Sequence, residues 1–378
     1  MQTDEDRVRS LPHLPRVKPE HQPYRTIDGH IRLGRGLFGI AAEIKDPSGR
    51  IWELLEAMNG SRTIPQIVEL MSSGERPPVT APQIMDTIES LFQAGHLEDA
   101  NSLEPETLSP RERERYGRGH AYFRWVDTLP RKGSWDVQLR LRDARVVVVG
   151  VGGAGGAAAQ GLAATGVGHL HCVDSDIVEL SNLNRQVLYN EDDLGKPKVD
   201  VAVARLGRLN SDIKITGERS TVRGQADLEA LAEDCDVLVL AADRPEIIRT
   251  WANRACLAKN VPWVGGGYHG ALLTVGVFKP GDGACWECLK LAEARRPEMS
   301  IFRPEDESSF GTQTPGHPVT AASAGMAGLL MTHAAISLLT GVPALPAGRV
   351  YGMNLVALTD PVLVSHPRQP GCPACGTT

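Results

Sequence analysis

Residues 145–155 read Arg145-Val-Val-Val-Val-Gly150-Val-Gly152-Gly153-Ala154-Gly155. Four consecutive valines stopped by glycine are the pattern of a strand buried on both faces, as in a parallel sheet covered by helices. The glycines that follow fit G-x-G-x-x-G at a strand-to-helix junction. There, bare backbone lets amides approach phosphates and lets the helix pack tightly on the strand. A second apolar strand, Gly168-His-Leu-His-Cys-Val173, ends at Asp174, the spacing of a carboxylate that grips ribose hydroxyls. Strand, glycine turn, helix and strand in this order predict an α/β chain with a mostly parallel sheet and helices on both faces. Taken alone, the glycine motif makes a nicotinamide dehydrogenase the default reading.

The next residues separate the two. They read Asp174-Ser-Asp176-Ile-Val-Glu-Leu-Ser-Asn182-Leu-Asn-Arg185-Gln186, then Gly195-Lys-Pro-Lys198, and later Ala241-Ala-Asp243 after an apolar strand. In order and spacing this resembles the superfamily of ubiquitin-activating-type enzymes, including the bacterial ThiF, MoeB and HesA proteins that adenylate sulfur carriers. The resemblance implies a Rossmann-like fold that binds ATP and Mg2+. It assigns Asp174 to the ribose, Asn182 and Arg185 to the phosphates, Lys198 to the α- and γ-phosphate region and Asp243 to magnesium. Gly150, Gly152, Gly153, Gly155, Asp176 and Gln186 complete the expected nucleotide set. Physical sense supports these roles: an anion attacking a polyphosphate needs cations to neutralise it, and Arg185 and Lys198 supply them. No general base is needed, because a carboxylate is already ionised near neutral pH. Arg115-Tyr-Gly-Arg118 resembles the R-Y-x-R of these families, which makes Arg118 an expected catalytic finger reaching a partner subunit, and the protein a homodimer.

Four of the seven cysteines form two Cys-x-x-Cys pairs, Cys285/Cys288 and Cys372/Cys375. Four thiolates are a closed tetrahedral set for structural Zn2+. Cys172, Cys235 and Cys256 lie in apolar patterns and read as small buried hydrophobes. Many members of the resembled superfamily carry a further cysteine between the first pair and the following helix. Here the interval from Leu289 to Pro318 contains none, so a covalent enzyme intermediate is not expected. Phe310 to Pro318, with His317, is read as lining an acceptor channel.

The N-terminal part is of a different kind. Residues 1–24 mix charge and proline and read as a flexible segment without the apolar core of a secretory signal, so a cytoplasmic protein is expected. His30 to Lys45, with glycines at 34, 36 and 39, suits a hairpin, and three amphipathic helices follow, two opening with T-x-x-Q capping boxes at Thr63 and Thr80. We therefore predict a small α+β winged-helix module over residues 25–100, a polar connector over 101–144 and the adenylation domain over 145–378. Residues 26–100 hold six Arg/Lys against eleven Asp/Glu, and the whole chain carries a formal charge of -6. Both balances argue against a nucleic-acid partner. Val319 to Val342 approaches membrane length but is broken by small polar residues and His333, which suits a core helix and no membrane span.

An acidic peptide-recognition module joined to an adenylation domain without the loop cysteine resembles microcin-type peptide-adenylating enzymes and leader-binding proteins of ribosomal peptide pathways. The expected activity is adenylation of a carboxylate on a precursor peptide. Two alternatives stand beside it: a scaffold presenting the precursor to a partner cyclodehydratase, and an activator of a small diglycine-ended sulfur-carrier protein.

Overall fold

The computed structural model describes residues 11–36, 39–73, 79–131, 133–295 and 318–376. They form two compact units, Met1–Leu139 and Arg140–Thr378.

In the N-terminal unit, β1 (Pro15–Val17) will be joined by a distant strand, while β2 (Tyr24–Arg25), β3 (Ile31–Leu33) and β4 (Ala42–Ile44) form an antiparallel sheet in the order β2-β3-β4. Three helices follow: α1 (Arg50–Ala57), α2 (Ile64–Ser72) and α3 (Ala81–Gln93). The boxes at Thr63/Gln66 and Thr80/Gln83 both close, each side chain satisfying a backbone N–H that the first turn leaves free. Ile31, Leu33, Leu54, Met58, Ile67, Ile84 and Ile88 make the shared core. β5 (Leu97–Asp99) then pairs antiparallel with β1, Val17 opposite Leu97.

That pairing corrects the expectation that residues 1–24 are flexible, as far as residues 11–24 are concerned. Lys18 and His21 are buried. Lys18 donates from Nζ to the carbonyl of Asp127 at 2.8 Å, and His21 Nε2 donates to the carbonyl of Trp125 at 2.7 Å. The connector is likewise structured. Ser109 and Glu112 form a third capping box that opens α4 (Pro110–Val126), whose Tyr116 packs with Leu108 and Trp135. The division between units falls inside α5 (Asp136–Asp143).

The C-terminal unit has the expected α/β class. Its eight strands are β6 (Arg145–Val149), β7 (His169–Val173), β8 (Lys214–Glu218), β9 (Val237–Leu240), β10 (Trp263–His269), β11 (Leu272–Phe278), β12 (Arg349–Asn354) and β13 (Pro361–Ser365). They lie in the order β13-β12-β11-β10-β9-β6-β7-β8. From β10 to β8 all pairings are parallel, and the remaining three are antiparallel. The chain runs outward from β6 to β8 and then returns to lay β9 on the other side of β6. The crevice beyond the carboxyl ends of β6 and β9 is therefore a topological switch point, where open α/β sheets place their ligands.

Helices cover both faces, which is why Val146–Val149 and Val237–Leu240 are buried throughout. On one face α8 (Gln225–Ala232) and α9 (Ile248–Lys259) pack on Val147, Val149 and Leu238. α6 (Gly153–Thr165) packs against the later helix Ala321–Thr340, where Thr332 Oγ1 donates to the carbonyl of Ala158 at 3.2 Å. That helix is long and apolar enough to cross a bilayer, but 56% of its apolar window is buried inside the unit. The set is completed by α7 (Lys198–Leu209) beside β8, by α10 (Trp286–Ala294) after β11, and by Ala321–Thr340 itself as α11.

Candidate nucleotide site and metal centre

The ends of β6, β7 and β9 are pinned together by backbone. The N–H groups of Ala241 and Ala242 both donate to Val149 O at 2.9 Å, and the N–H of Gly150 donates to Val173 O at 2.8 Å. Gly150 takes φ +87°, the left-handed region, to turn the chain out of the sheet. At Gly155 a side chain is impossible, because its Cβ would sit 1.8 Å from Gly150 O. Gly152 caps α6, so the free N–H groups of that helix's first turn face the crevice with the positive end of its dipole.

Asp174 follows β7 and braces the glycine turn: its carboxylate accepts from the N–H of Val151 at 2.8 Å and of Asp176 at 2.9 Å. Residues 176–178 and 195–198 then lie side by side. Val178 N–H donates to Lys196 O at 2.8 Å and Lys198 N–H to Asp176 O at 2.9 Å. This clamp starts α7 at Lys198 and brings its ammonium back to Asp176, Nζ to Oδ2 at 2.9 Å. The Lys198 side chain is 7% exposed and that of Asp176 67%. The ammonium of a buried stem thus rests on a solvated carboxylate.

Asn182 is buried and accepts at Oδ1 from the N–H of Glu179, while its carbonyl accepts from Arg185 and Gln186. That tight turn sets the Arg185 stem 3.5 Å from where a side chain on Gly153 would begin, and its guanidinium donates to Ser181 O and Asn184 Oδ1. Gln186 is 4% exposed, and its Oε1 has no partner among the described residues. Its Nε2 lies 3.8 Å from where a side chain on Gly152 would begin. Asp243 stands exposed three residues beyond β9. One solvated carboxylate is the kind of protein ligand Mg2+ takes, since it keeps most of its waters.

The structure thus gathers Gly150, Gly152, Gly153, Gly155, Asp174, Asp176, Asn182, Arg185, Gln186, Lys198 and Asp243 at one end of the sheet. It also places there a residue that sequence reading missed, Arg249, in the first turn of α9. Burial pulls its guanidinium below the usual range and the Asp243 carboxylate pulls it back up. One guanidinium nitrogen lies 3.9 Å from where a side chain on Gly267 would begin. No local motif marks it; the only sequence signal is an arginine six residues past an aspartate that follows a strand. Arg118 is exposed on α4 in the N-terminal unit. Phe310 to His317 lie outside the described residues.

The four cysteines converge although the pairs are 87 residues apart. Cys285 Sγ lies 3.8 Å from Cys288 and 3.6 Å from Cys372, and Cys288 lies 3.4 Å from Cys375. All four sulfurs are within 4.8 Å of one another. Metal–sulfur bonds of about 2.3 Å in a tetrahedron require sulfurs about 3.8 Å apart, so the set fits a closed zinc site and is too wide for disulfides. Cys172 and Cys256 are buried elsewhere, their thiols pushed up by burial, Cys172 to about 12.

The ThiF family pattern matches residues 127–374. The sulfur carrier protein ThiS adenylyltransferase of Escherichia coli K12 is 34% identical over 244 residues, 64% of this chain and 89% of that one. The molybdopterin-synthase adenylyltransferase of the same organism is 33% identical over 272 residues, 71% of this chain and 98% of that one. The crystal structure of E. coli MccB with ATP has the same fold, with a TM-score of 0.73 over 96% of this chain and 99% of that chain at 22% identity.

Proposed function

The chain belongs to the ThiF family and is an ATP-dependent adenylyltransferase of that type, and we propose that its substrate is a carboxylate of a ribosomally made precursor peptide. In the proposed reaction a carboxylate oxygen attacks the α-phosphorus of ATP. The new O–P bond forms as the bond to the β-phosphate oxygen breaks, leaving an acyl-adenylate and pyrophosphate. Asp174 holds the ribose, Asn182 and Arg185 the phosphates, and Lys198 leaves Asp176 to follow the charge at the reacting phosphorus. Magnesium on Asp243 would neutralise the departing pyrophosphate. Arg118 is proposed to serve the phosphates of a second subunit, which makes the enzyme a homodimer.

The observation that carries the peptide reading is a groove in the N-terminal unit. It has a volume of about 310 Å³ and is lined by Ile44, Ile51, Asp86, Thr87, Ser90 and Leu91. It runs beside β4, an edge strand of its sheet among the described residues. An extended peptide added to that edge would gain backbone hydrogen bonds and lay alternate side chains into the groove. Docking there raises the local concentration of the linked carboxylate at the nucleotide site. The absence of cysteine from Leu289 to Pro318 supports direct capture of the acyl-adenylate without an enzyme thioester. The curated relatives favour the carrier reading as the second choice.

The test is ATP:pyrophosphate exchange with the wild-type enzyme, comparing any short peptide found encoded beside its gene with a diglycine-ended carrier. Exchange that requires the peptide, is lost in Asp243→Ala and leaves peptide binding intact supports the proposal. Exchange driven by the carrier alone overturns it in favour of carrier activation. Tight peptide binding without exchange makes the chain a presenting scaffold.

A further inference from the structure

Asn253 lies on α9, one turn past Arg249 and wholly buried. Its amide uses both donors and its oxygen. Nδ2 donates to Cys285 Sγ at 3.6 Å and to Glu287 Oε1 at 3.2 Å, and Oδ1 accepts from the N–H of Trp286 at 3.0 Å. Trp286 is the first residue of α10 and Cys285 its cap, with no side-chain cap bond of its own. Asn253 therefore supplies, from another helix, the acceptor that the first turn of α10 lacks.

The charges at this point need such a residue. Four thiolates around a dication leave two net negative charges, and Glu287, 8% exposed, adds a third within two residues of Cys285. A buried carboxylate beside thiolates is unfavourable unless both are supplied with donors. Arg254, the next residue on α9, answers Glu287 with two bonds of 2.9 Å. Gln369 N–H answers Cys288 Sγ at 3.3 Å. Cys285 receives the backbone N–H of Cys288 within its own turn and, from another helix, the side-chain NH2 of Asn253.

We propose that Asn253 is the positioning residue of the metal centre: it orients the Cys285 thiolate and fixes the first Cys-x-x-Cys turn to α9, the helix that begins five residues after Asp243. Its partners assign separate jobs to its two ends. The oxygen holds α10 in place, and the NH2 group lowers the electron density on the sulfur.

The test uses the full chain with zinc or cobalt as the probe. Asn253→Asp keeps the shape and the acceptor but turns an oxygen toward Cys285 and Glu287; Asn253→Ala removes both ends. Zinc affinity, measured against a chromogenic chelator, is expected to fall about 10- to 100-fold in both. The thiolate-to-cobalt charge-transfer band of Asn253→Ala is expected to move to longer wavelength, a change that simple loosening does not produce. Lys259→Met, which breaks only the exposed pair with Glu233 at the far end of α9, is expected to stay within about fivefold of wild type. Wild-type zinc affinity in Asn253→Asp, an unmoved cobalt band in Asn253→Ala, or an equal loss in Lys259→Met each overturns the assignment. Should Asn253→Ala not fold, the isosteric Asn253→Asp decides by its zinc affinity alone.

Discussion

Lys198→Met separates what the ion pair with Asp176 does from what the ammonium does for the reaction. At 2.9 Å, the attraction between the two charges is about 1.4 kcal/mol at the dielectric of water and about 6 kcal/mol at an effective value of 20. Asp176 is 67% exposed, so the pair lies toward the weaker limit, and its net contribution to stability is about 0–1 kcal/mol. Methionine puts a stem of similar length in the same buried position and leaves Asp176 in water. The folded state is therefore expected to change by less than about 1 kcal/mol in urea unfolding. ATP binding exchanges the Asp176 carboxylate for a phosphate oxygen, so most of the attraction is already present before the nucleotide arrives. Affinity for a non-hydrolysable ATP analogue, measured by calorimetry, is expected to fall less than about tenfold. The exchange rate is expected to fall about 100- to 1,000-fold, because charge at the reacting phosphorus then meets no mobile cation. Equal losses in affinity and rate would show that Lys198 binds ground and transition states alike, and would refute the reasoning.

Ile44→Asp puts a carboxylate into the groove opposite Asp86. Peptide affinity by fluorescence anisotropy is expected to fall about 30-fold, as for a central interface residue, with ATP-analogue affinity unchanged; unaltered peptide binding would remove the groove from the proposal. His21 and His96 meet Nδ1 to Nδ1 at 3.0 Å. Because His21 Nε2 donates to a carbonyl, its Nδ1 is the acceptor when the ring is neutral, and His96 Nδ1–H donates. Burial and the neighbouring positive groups push His96 down to about 4, and burial lowers His21 as well. A native value below the unfolded one of about 6.5 means that stability is full above that pH and is lost as pH falls toward 4, by on the order of 3 kcal/mol for His96. In His96→Gln the urea midpoint is expected to lose most of this dependence between pH 6.5 and 4.5; a slope equal to wild type would contradict it.

What was legible in the sequence was whatever is encoded locally. The valine run into Gly150 and Gly155 announces a covered strand and a bare turn, since φ +87° at the first and a 1.8 Å approach to backbone at the second call for glycine. Thr63/Gln66 and Thr80/Gln83 announce two helix starts through reciprocal bonds three residues apart. The paired cysteines were readable because two thiols at x-x spacing already form half a metal site. What escaped depends on distant partners. Pro15–Val17 is too short for periodicity and becomes a strand only because Leu97–Asp99 lies beside it. Lys18 and His21 look like surface residues until the carbonyls ending α4 receive them. Arg249 and Asn253 sit in an ordinary helical pattern, and only folding brings Asp243 to one and Cys285 to the other.

The central claim is that a carboxylate oxygen of the substrate becomes bonded to the α-phosphorus of ATP. Precursor peptide with both oxygens of its carboxylate labelled with 18O should be turned over with ATP and an amine acceptor, and the AMP released analysed by mass spectrometry. The account expects AMP to carry one labelled oxygen. Unlabelled AMP, or label appearing in inorganic phosphate as an acyl phosphate would deliver it, would contradict adenylation.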